Sequence, residues 1–570
     1  MHACLRKGYK RMCMMKSELW YDVLVVGGGG AALRAALSAW QQGARTAILS
    51  KGEAGKSGAT YYSVAEVGAF NVPDGAADPS DSPEAFFQDM ESAALGTAQL
   101  PLCRIIAEQA ESALYDLERM SGGTVFSKEN GHFKVYQACF STKPRSHVVE
   151  NHFKPILHTL LEEVKKTDIA RLNGLQAVDL LLASSGQVAG VYALDSKGEP
   201  VLVHAKSVIL ATGGASRLFR RNLYPRDITG DGYAMAYRAG ARMSNMEFIQ
   251  AGVGVAAPFL NLFGNYLWEA FPQIENAAGE QILGRYLPDG LRAEQVIREK
   301  THFPFSTRDA SRYIEIAIQS ECNRGNGTAR GNLLLQFRNS DFKTLFEKNP
   351  IFASMWEVTY QWHKKRGIDL YQDPVEIACF AHAINGGILI DEQGASTLAG
   401  LYAVGETASG PHGADRLGGN MSVTCQVFGN IAGQHAAKFA KQQSGYPETK
   451  QSEQSITDRL QALSCGKRAE CADLLSSLQE HSDHALLIIR NEEGLKKYET
   501  YLDSLQQEIQ RGGERSCLGG LLELENLATV GSLIAQAALL RKESRGSHYR
   551  EDFPELDPDM AHPIYLQNKA

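Results

Sequence analysis

The sequence predicts an α/β protein: a Rossmann-like dinucleotide-binding domain, interrupted by an inserted α+β capping domain and followed by a C-terminal helical domain. Three observations carry this expectation. A β-branched run at residues 22–26 leads into Gly27-Gly28-Gly29-Gly30 and then into a helix-like stretch over 31–42. Two later apolar runs rich in glycine at their ends, residues 207–214 and 400–406, have the character of strands buried on both faces. Strands so far apart share a sheet only if the intervening residues form excursions from it.

At 570 residues the chain exceeds one compact core, and about two to four domains are expected. The dinucleotide domain is read over 21–247 and 375–444. Residues 248–374, richer in aromatics and irregular loops, form the insertion. From 445 to 554 charged amphipathic patterns predict helices, with a glycine pair at 512 and 513 as a turn. Residues 1–20 are expected to form a tail outside the fold, or to reflect initiation at Met14 or Met15, and 555–570 to form an extended arm.

Apolar residues make up 44% and charged residues 22%, the composition of a globular chain rather than a disordered or collagen-like one. The net charge of −7, with no basic block, argues against a nucleic-acid partner. No stretch reaches the roughly 18 uninterrupted apolar residues of a membrane span. The ten cysteines are scattered, without C-x-x-C pairs or zinc-ligand spacing, so reduced thiols are expected and neither a metal site nor an iron–sulfur cluster within this chain. These features predict a cytoplasmic protein.

Gly27, Gly29 and Ala32 fit G-x-G-x-x-G/A between a strand and a helix. The first glycine permits the tight turn, the second admits a pyrophosphate, and the small third residue lets helix pack on strand. Gly30 and Ala31 open the helix, whose free N–H groups attract an anion. The second strand ends in Ser50-Lys51 rather than the acidic residue that usually holds a ribose, so the motif alone does not separate NAD from FAD.

Five blocks, YDVLVVGGGGAALRAAL, SVILATGGASRLF, TGDGYAMAYRAGARMSNMEF, GLYAVGETASGPHGADRLGGN and ENLATVGSLIAQAALLRKESRGSHYREDFP, span most of residues 20–557. In this order they resemble the FAD-dependent flavoproteins of succinate dehydrogenase, fumarate reductase and L-aspartate oxidase. The resemblance implies FAD held by the glycine loop, Ser50, Lys51, Ala211, Thr212, Gly213, Asp231, Glu406, Gly419, Asn420 and Ser422. Taken alone, Asp231 reads as a turn or helix-capping residue. Where the succinate dehydrogenase branch carries a flavin-linked histidine in R-S-H-T, this chain has Lys56-Ser57-Gly58-Ala59-Thr60, which resembles the S-G-S-T of aspartate oxidases. The implication is non-covalent FAD at a lower potential, favouring reduction of a C=C bond.

The resemblance also implies a substrate clamp. Arg308, in Ser306-Thr307-Arg308-Asp309, matches the arginine that delivers a proton to the substrate carbon. His382 and Arg416 match groups that hold its carboxylates. Each has an ordinary structural reading: a helix-end ion pair, a core histidine, a loop tie. The family's H-P-T histidine is absent, because residues 246–250 (MEFIQ) are followed by AGVG. In the family's T-E-G-x-R-G-E-G segment this chain has LWEAFP at 267–272, where Glu269 stands as the candidate for the relay glutamate and Trp268 as an apolar replacement in the pocket. A monocarboxylate, or a larger carboxylate with an apolar end, is the expected substrate. Electrons are expected from an iron–sulfur or other electron-transfer protein, through which the chain would lie peripherally at a membrane. L-Aspartate oxidation, an adenylylsulfate reductase-like activity and a non-catalytic electron-transfer role remain the alternatives.

Overall fold

The computed structural model describes residues 17–62, 67–464 and 471–568. Its centre is a seven-stranded sheet in which Ser17–Val26 lies between Thr46–Ser50 and Pro200–Leu210, parallel to both. Val23, Leu24 and Val25 are wholly buried, as a central parallel strand with helices on both faces requires. Ala170–Asn173 extends the sheet beyond Thr46–Ser50, Leu401–Ala403 runs parallel to residues 208–210, and Gln176–Leu182 with Val188–Leu194 forms an antiparallel flank. Helix Gly30–Gln41 packs on this sheet and against helix Asn420–Gln442.

The first strand starts at Ser17, ahead of the expected Tyr21, because Ser17, Glu18, Leu19 and Trp20 pair with residues 201–204. Ser17, Glu18 and Trp20 are exposed, so no apolar pattern marks them; the main-chain ladder alone extends the strand.

The insertion carries a five-stranded antiparallel sheet ordered Asn261–Leu262, Ile249–Ala257, Val375–Ile384, Leu333–Gln336, Gln273–Glu275. Val375–Ile384, read from sequence as a return to the central domain, pairs with Ile249–Ala257 along most of its length. The excursion therefore closes after Ile384, not at 374, and His382 stands on the cap's sheet. Helices Phe342–Lys348 and Pro350–Lys364 lie over it around a core of Phe337, Phe352 and Trp356.

Among the described residues four long helices, Lys450–Leu463, Cys471–Leu486, Glu492–Gln510 and Leu518–Leu540, build the C-terminal domain. Among the described residues one helix, Arg515–Leu540, is long and apolar enough to cross a membrane, but 61% of its most apolar window is buried inside the protein. Its Asn526 donates to Asp231 at 2.9 Å, which ties it to the central domain.

The last described residues do not form a free arm. Tyr565–Leu566 pairs with Met243–Ser244, and the Asn245 N–H donates to the Ile564 carbonyl at 2.9 Å. Glu247, just ahead of the cap, accepts Arg541 Nε at 2.7 Å, and Arg541 also binds Glu543 at 2.8 Å, with all three side chains fully buried. Buried charges are tolerated only when paired in this way. The chain thus enters the cap from a segment clamped by the C-terminal domain.

Candidate active site

The Gly27 turn brings the end of the first strand against the end of Pro200–Leu210. Its φ is +130°, and a Cβ there would lie 2.2 Å from the Ala211 carbonyl oxygen, so no other residue fits. The turn opens a cavity of about 130 Å³ at the carboxyl ends of the parallel strands, where open α/β sheets bind ligands. Gly27, Gly29, Gly30 and Ala31 line it, and Gly29 at the head of the Gly30 helix has no side chain to cap the helix's first N–H groups, the arrangement that suits an anion there. The Gly30 N–H itself donates to Thr60 Oγ1 at 3.2 Å.

Ser57, Gly58, Ala59 and Thr60 line the same cavity, with the Gly58 N–H on Asp227 Oδ2 at 3.2 Å. So do Ala211, Thr212 and Gly213. Ser50 and Lys51 lie on its wall, and Lys51 Nζ reaches Asp231 Oδ2 and Glu523 Oε1, both at 2.9 Å. Burial works against the Lys51 charge, but the two carboxylates outweigh it and hold its pKa above the ordinary value. Asp231 also lines the cavity, while its Oδ1 accepts Thr229 Oγ1 and Asn526 Nδ2, both at 2.9 Å.

Two expected cofactor residues line neither cavity. Ala32 is fully buried in helix-to-strand packing. Asn420 Oδ1 accepts from Asn71 Nδ2 at 2.6 Å, which fixes the head of helix Asn420–Gln442. Gly419 and Ser422 face the second, larger cavity.

That cavity, about 1110 Å³, shares Gly30, Ala59, Thr60, Glu406, Met421 and Cys425 with the first. Arg308, His382 and Arg416 all line it, although they come from a cap loop, a cap strand and a loop of the central domain. Arg416 is 7% exposed; its Nη1 donates to the Leu417 carbonyl at 3.1 Å, and its Nε has no partner. A buried guanidinium edge left unmatched is set for an anionic ligand. Arg308 is held by Asp415 Oδ2 at 2.9 Å and by the Ala93 carbonyl at 2.9 Å, and its guanidinium lies 4.9 Å from the Phe140 ring centre. Asp415 Oδ2 also accepts Ser306 Oγ at 2.7 Å. Burial raises the Asp415 pKa, with Arg308 opposing.

His382 is neutral: burial, assisted by Arg416, lowers its pKa to about 3. Tyr224 and Phe303 stand edge-on to it, each with ring centres 5.6 Å away. Gly252 makes room for Phe303, since a Cβ there would meet the Phe303 carbonyl oxygen at 2.6 Å. The histidine therefore offers a hydrogen bond, not a charge.

Glu406 borders both cavities and is 8% exposed. Burial raises its pKa to about 7, against the Ile384 N–H at 3.0 Å and Arg416. A carboxyl whose folded pKa lies above its ordinary 4.5 stabilises the fold fully below about 4.5 and loses that contribution as pH rises through about 7. Glu406→Gln is expected to remove this slope. In the cofactor-free protein, the Tm of the native chain should drop relative to the variant across that interval, equivalent to at most about 3 kcal/mol.

Glu269 is not at the site. It is exposed, and its Oε2 accepts Asn349 Nδ2 at 2.8 Å. Trp268 is buried in the cap with its ring centre 4.9 Å from that of Phe263, so the stretch reaches the cavity through Asn265 and Tyr266 instead. Likewise Gln250, not Ala251, lines the cavity: its Nε2 donates to the Arg416 carbonyl at 3.0 Å while its buried Oε1 is unpartnered. Gln250, Tyr224 and Cys139 line the cavity without any sequence signal that marked them.

The uncapped helix, the close glycine turn and the two joined cavities fit FAD. Residues 22–422 match the family model described as an FAD binding domain, and residues 476–568 that of the fumarate reductase flavoprotein C-terminus. The chain belongs to the FAD-dependent flavoprotein family of fumarate reductase, succinate dehydrogenase and L-aspartate oxidase. FAD is its cofactor. Among its relatives, a fumarate reductase (CoM/CoB) chain of Methanothermobacter marburgensis is 32% identical, over 97% of this chain and 98% of that one. The L-aspartate oxidase of Vibrio cholerae is 31% identical, over 96% and 98%. A chain of the Mycobacterium smegmatis Sdh1 complex superposes with a TM-score of 0.81 at 26% identity, covering 97% of this chain and 94% of its own. Family membership makes the protein an oxidoreductase.

Proposed function

We propose that this flavoprotein reduces the C–C double bond of an unsaturated carboxylate, with electrons delivered by an iron–sulfur or other electron-transfer protein. The buried Arg416 with its unmatched Nε, beside a histidine kept neutral, carries the reading. Bound FAD, held around the glycine loop, supplies the hydride. Arg416 binds the carboxylate and draws charge toward it, which makes the β carbon electrophilic. His382 and Gln250 orient the same end through uncharged hydrogen bonds, and Phe303 and Tyr224 exclude water.

Arg308 gives the proton to the α carbon in this proposal. A guanidinium, with an ordinary pKa above about 12, serves as an acid only toward a strongly basic carbon, which the α position becomes as hydride reaches its neighbour. The contacts to Asp415 and to the carbonyls of Ala93 and Ser92 fix the guanidinium plane. Lysine cannot keep all three. Arg308→Lys is expected to lower kcat by about 10²- to 10³-fold with KM changed only a few-fold, read from oxidation of reduced viologen by enoates.

The same assay tests the function. Re-oxidation of the dithionite-reduced flavoprotein by an enoate supports it; flavin reduction by L-aspartate with no response to enoates favours the amine-oxidising alternative; and re-oxidation only by a protein acceptor indicates a purely electron-transferring role. The missing histidine at Gly58 supports non-covalent attachment, so acid precipitation is expected to leave all FAD in the supernatant.

A further inference from the structure

Cys471 is the first residue of helix Cys471–Leu486, and Cys517 stands immediately ahead of helix Leu518–Leu540, which packs against it. Cys471 Sγ lies 3.9 Å from the Cys517 carbonyl oxygen. A Cβ at Gly520, three residues on and so on the same side of the helix, would stand 3.3 Å from that sulfur. Cys471 therefore sits over the turn that carries Cys517, in room that Gly520 leaves. The two thiols are hydrogen-bonded neighbours, and burial followed by this neighbour raises the Cys471 pKa. Both are half-buried, whereas Cys103 and Cys379 are buried. Adjacent thiols that solvent reaches are open to oxidation in a way that buried ones are not.

The same end of the helix backs the cofactor cavity. The Gly519 carbonyl accepts Gln176 Nε2 at 3.2 Å, and Leu175 and Ala177 on either side of Gln176 line the glycine-loop cavity. Glu523, further along the helix, holds the cavity residue Lys51 at 2.9 Å and is close enough to Cys471 to add to its pKa rise. We infer that Cys471 and Cys517 form a redox latch: a disulfide between them holds the head of helix Leu518–Leu540 against the cavity wall and slows release of FAD, and the dithiol frees it. The oxidant is a low-molecular-weight disulfide. The Cys517 thiolate attacks one of its sulfurs and expels the first small thiol. Cys471, whose raised pKa keeps it protonated longer, then loses its proton, attacks Cys517 Sγ and expels the second. One S–S bond breaks and one forms; the two protein thiols are oxidised, and their electrons and protons leave on two small thiols.

The test uses the full-length, FAD-loaded protein, incubated with oxidised glutathione or with dithiothreitol. Free thiols are then alkylated and the cysteines mapped by peptide mass spectrometry. In parallel, FAD release on dilution is followed by the rise in flavin fluorescence. The expected result is a peptide crosslinked through Cys471 and Cys517 and release about fivefold slower from the oxidised protein than from the reduced one. Neither thiol lines the cavity, so Cys471→Ser and Cys517→Ser should each release FAD at the reduced protein's rate under both treatments. A glutathione adduct that persists at either position overturns the inference, as does a bridge from either to another cysteine. So does a Cys471–Cys517 bridge in the wild-type protein that leaves release unchanged, or a slowing that survives Cys471→Ser.

Discussion

Arg416→Gln is expected to lower kcat/KM for an enoate about 10³-fold and at the same time leave the fold as stable as before or more so. The first effect follows from removing the one cation that, among the described residues, is both nine-tenths buried and unmatched inside the cavity. A charge-assisted carboxylate contact in such surroundings is worth about 4 kcal/mol, and both KM and kcat carry the loss because the charge on the carboxylate grows as the double bond is reduced. The second effect has the same origin. Burial holds the Arg416 pKa below its ordinary value, only partly offset by Tyr224 and Glu406, so the charge is a burden on the folded chain. A matched pair of steady-state kinetics and thermal unfolding checks both signs. A fall in Tm together with the loss of activity would make Arg416 a structural tie, not a ligand.

Gly27→Ala is expected to be the most damaging single change to cofactor retention. Its Cβ would lie 2.2 Å from the oxygen and 2.7 Å from the carbon of the Ala211 carbonyl, and neither strand can retreat. The Gly27 N–H is bonded to Leu49 and the Ala211 N–H to Val26, each at 2.8 Å. Together with the φ of +130°, the overlap should cost about 4 kcal/mol and yield protein without visible flavin absorbance. Gly29→Ala is the control. A Cβ there meets nothing nearer than Thr60 Oγ1 at 3.5 Å, so the variant should fold normally while binding FAD more weakly.

The sequence made the dinucleotide half of the site legible because strand, turn and helix are local patterns, and Gly27 to Ala31 need only their neighbours to be read. Arg308, His382 and Arg416 were legible through resemblance alone, since separate elements deliver them and no local period relates them. Tyr224, Gln250 and Cys139 escaped because their types are ordinary and only folding turns them toward the cavity. Glu269 was misplaced for the converse reason: its type suited a proton relay, but its backbone position directs it to solvent beside Asn349. Val375–Ile384 shows a limit of periodicity itself. An apolar run predicts a strand, whereas only pairing decides which sheet receives it, and here Ile249–Ala257 does.

The cavity at the glycine loop is walled by residues from Val26 to Thr60, Leu175 and Ala177, residues from Ala211 to Asp231 and from Val404 to Cys425, and Asn526 bonds Asp231 from beyond them. During synthesis the phosphate loop therefore leaves the ribosome long before the wall that faces it. A chain cut short ahead of Val404 has the whole glycine motif and no closed cavity, and one lacking the last long helix leaves Asp231 without Asn526 and Lys51 without Glu523. Pulse-labelled chains are therefore expected to hold flavin poorly until the helix carrying Glu523 and Asn526 has docked on Lys51 and Asp231.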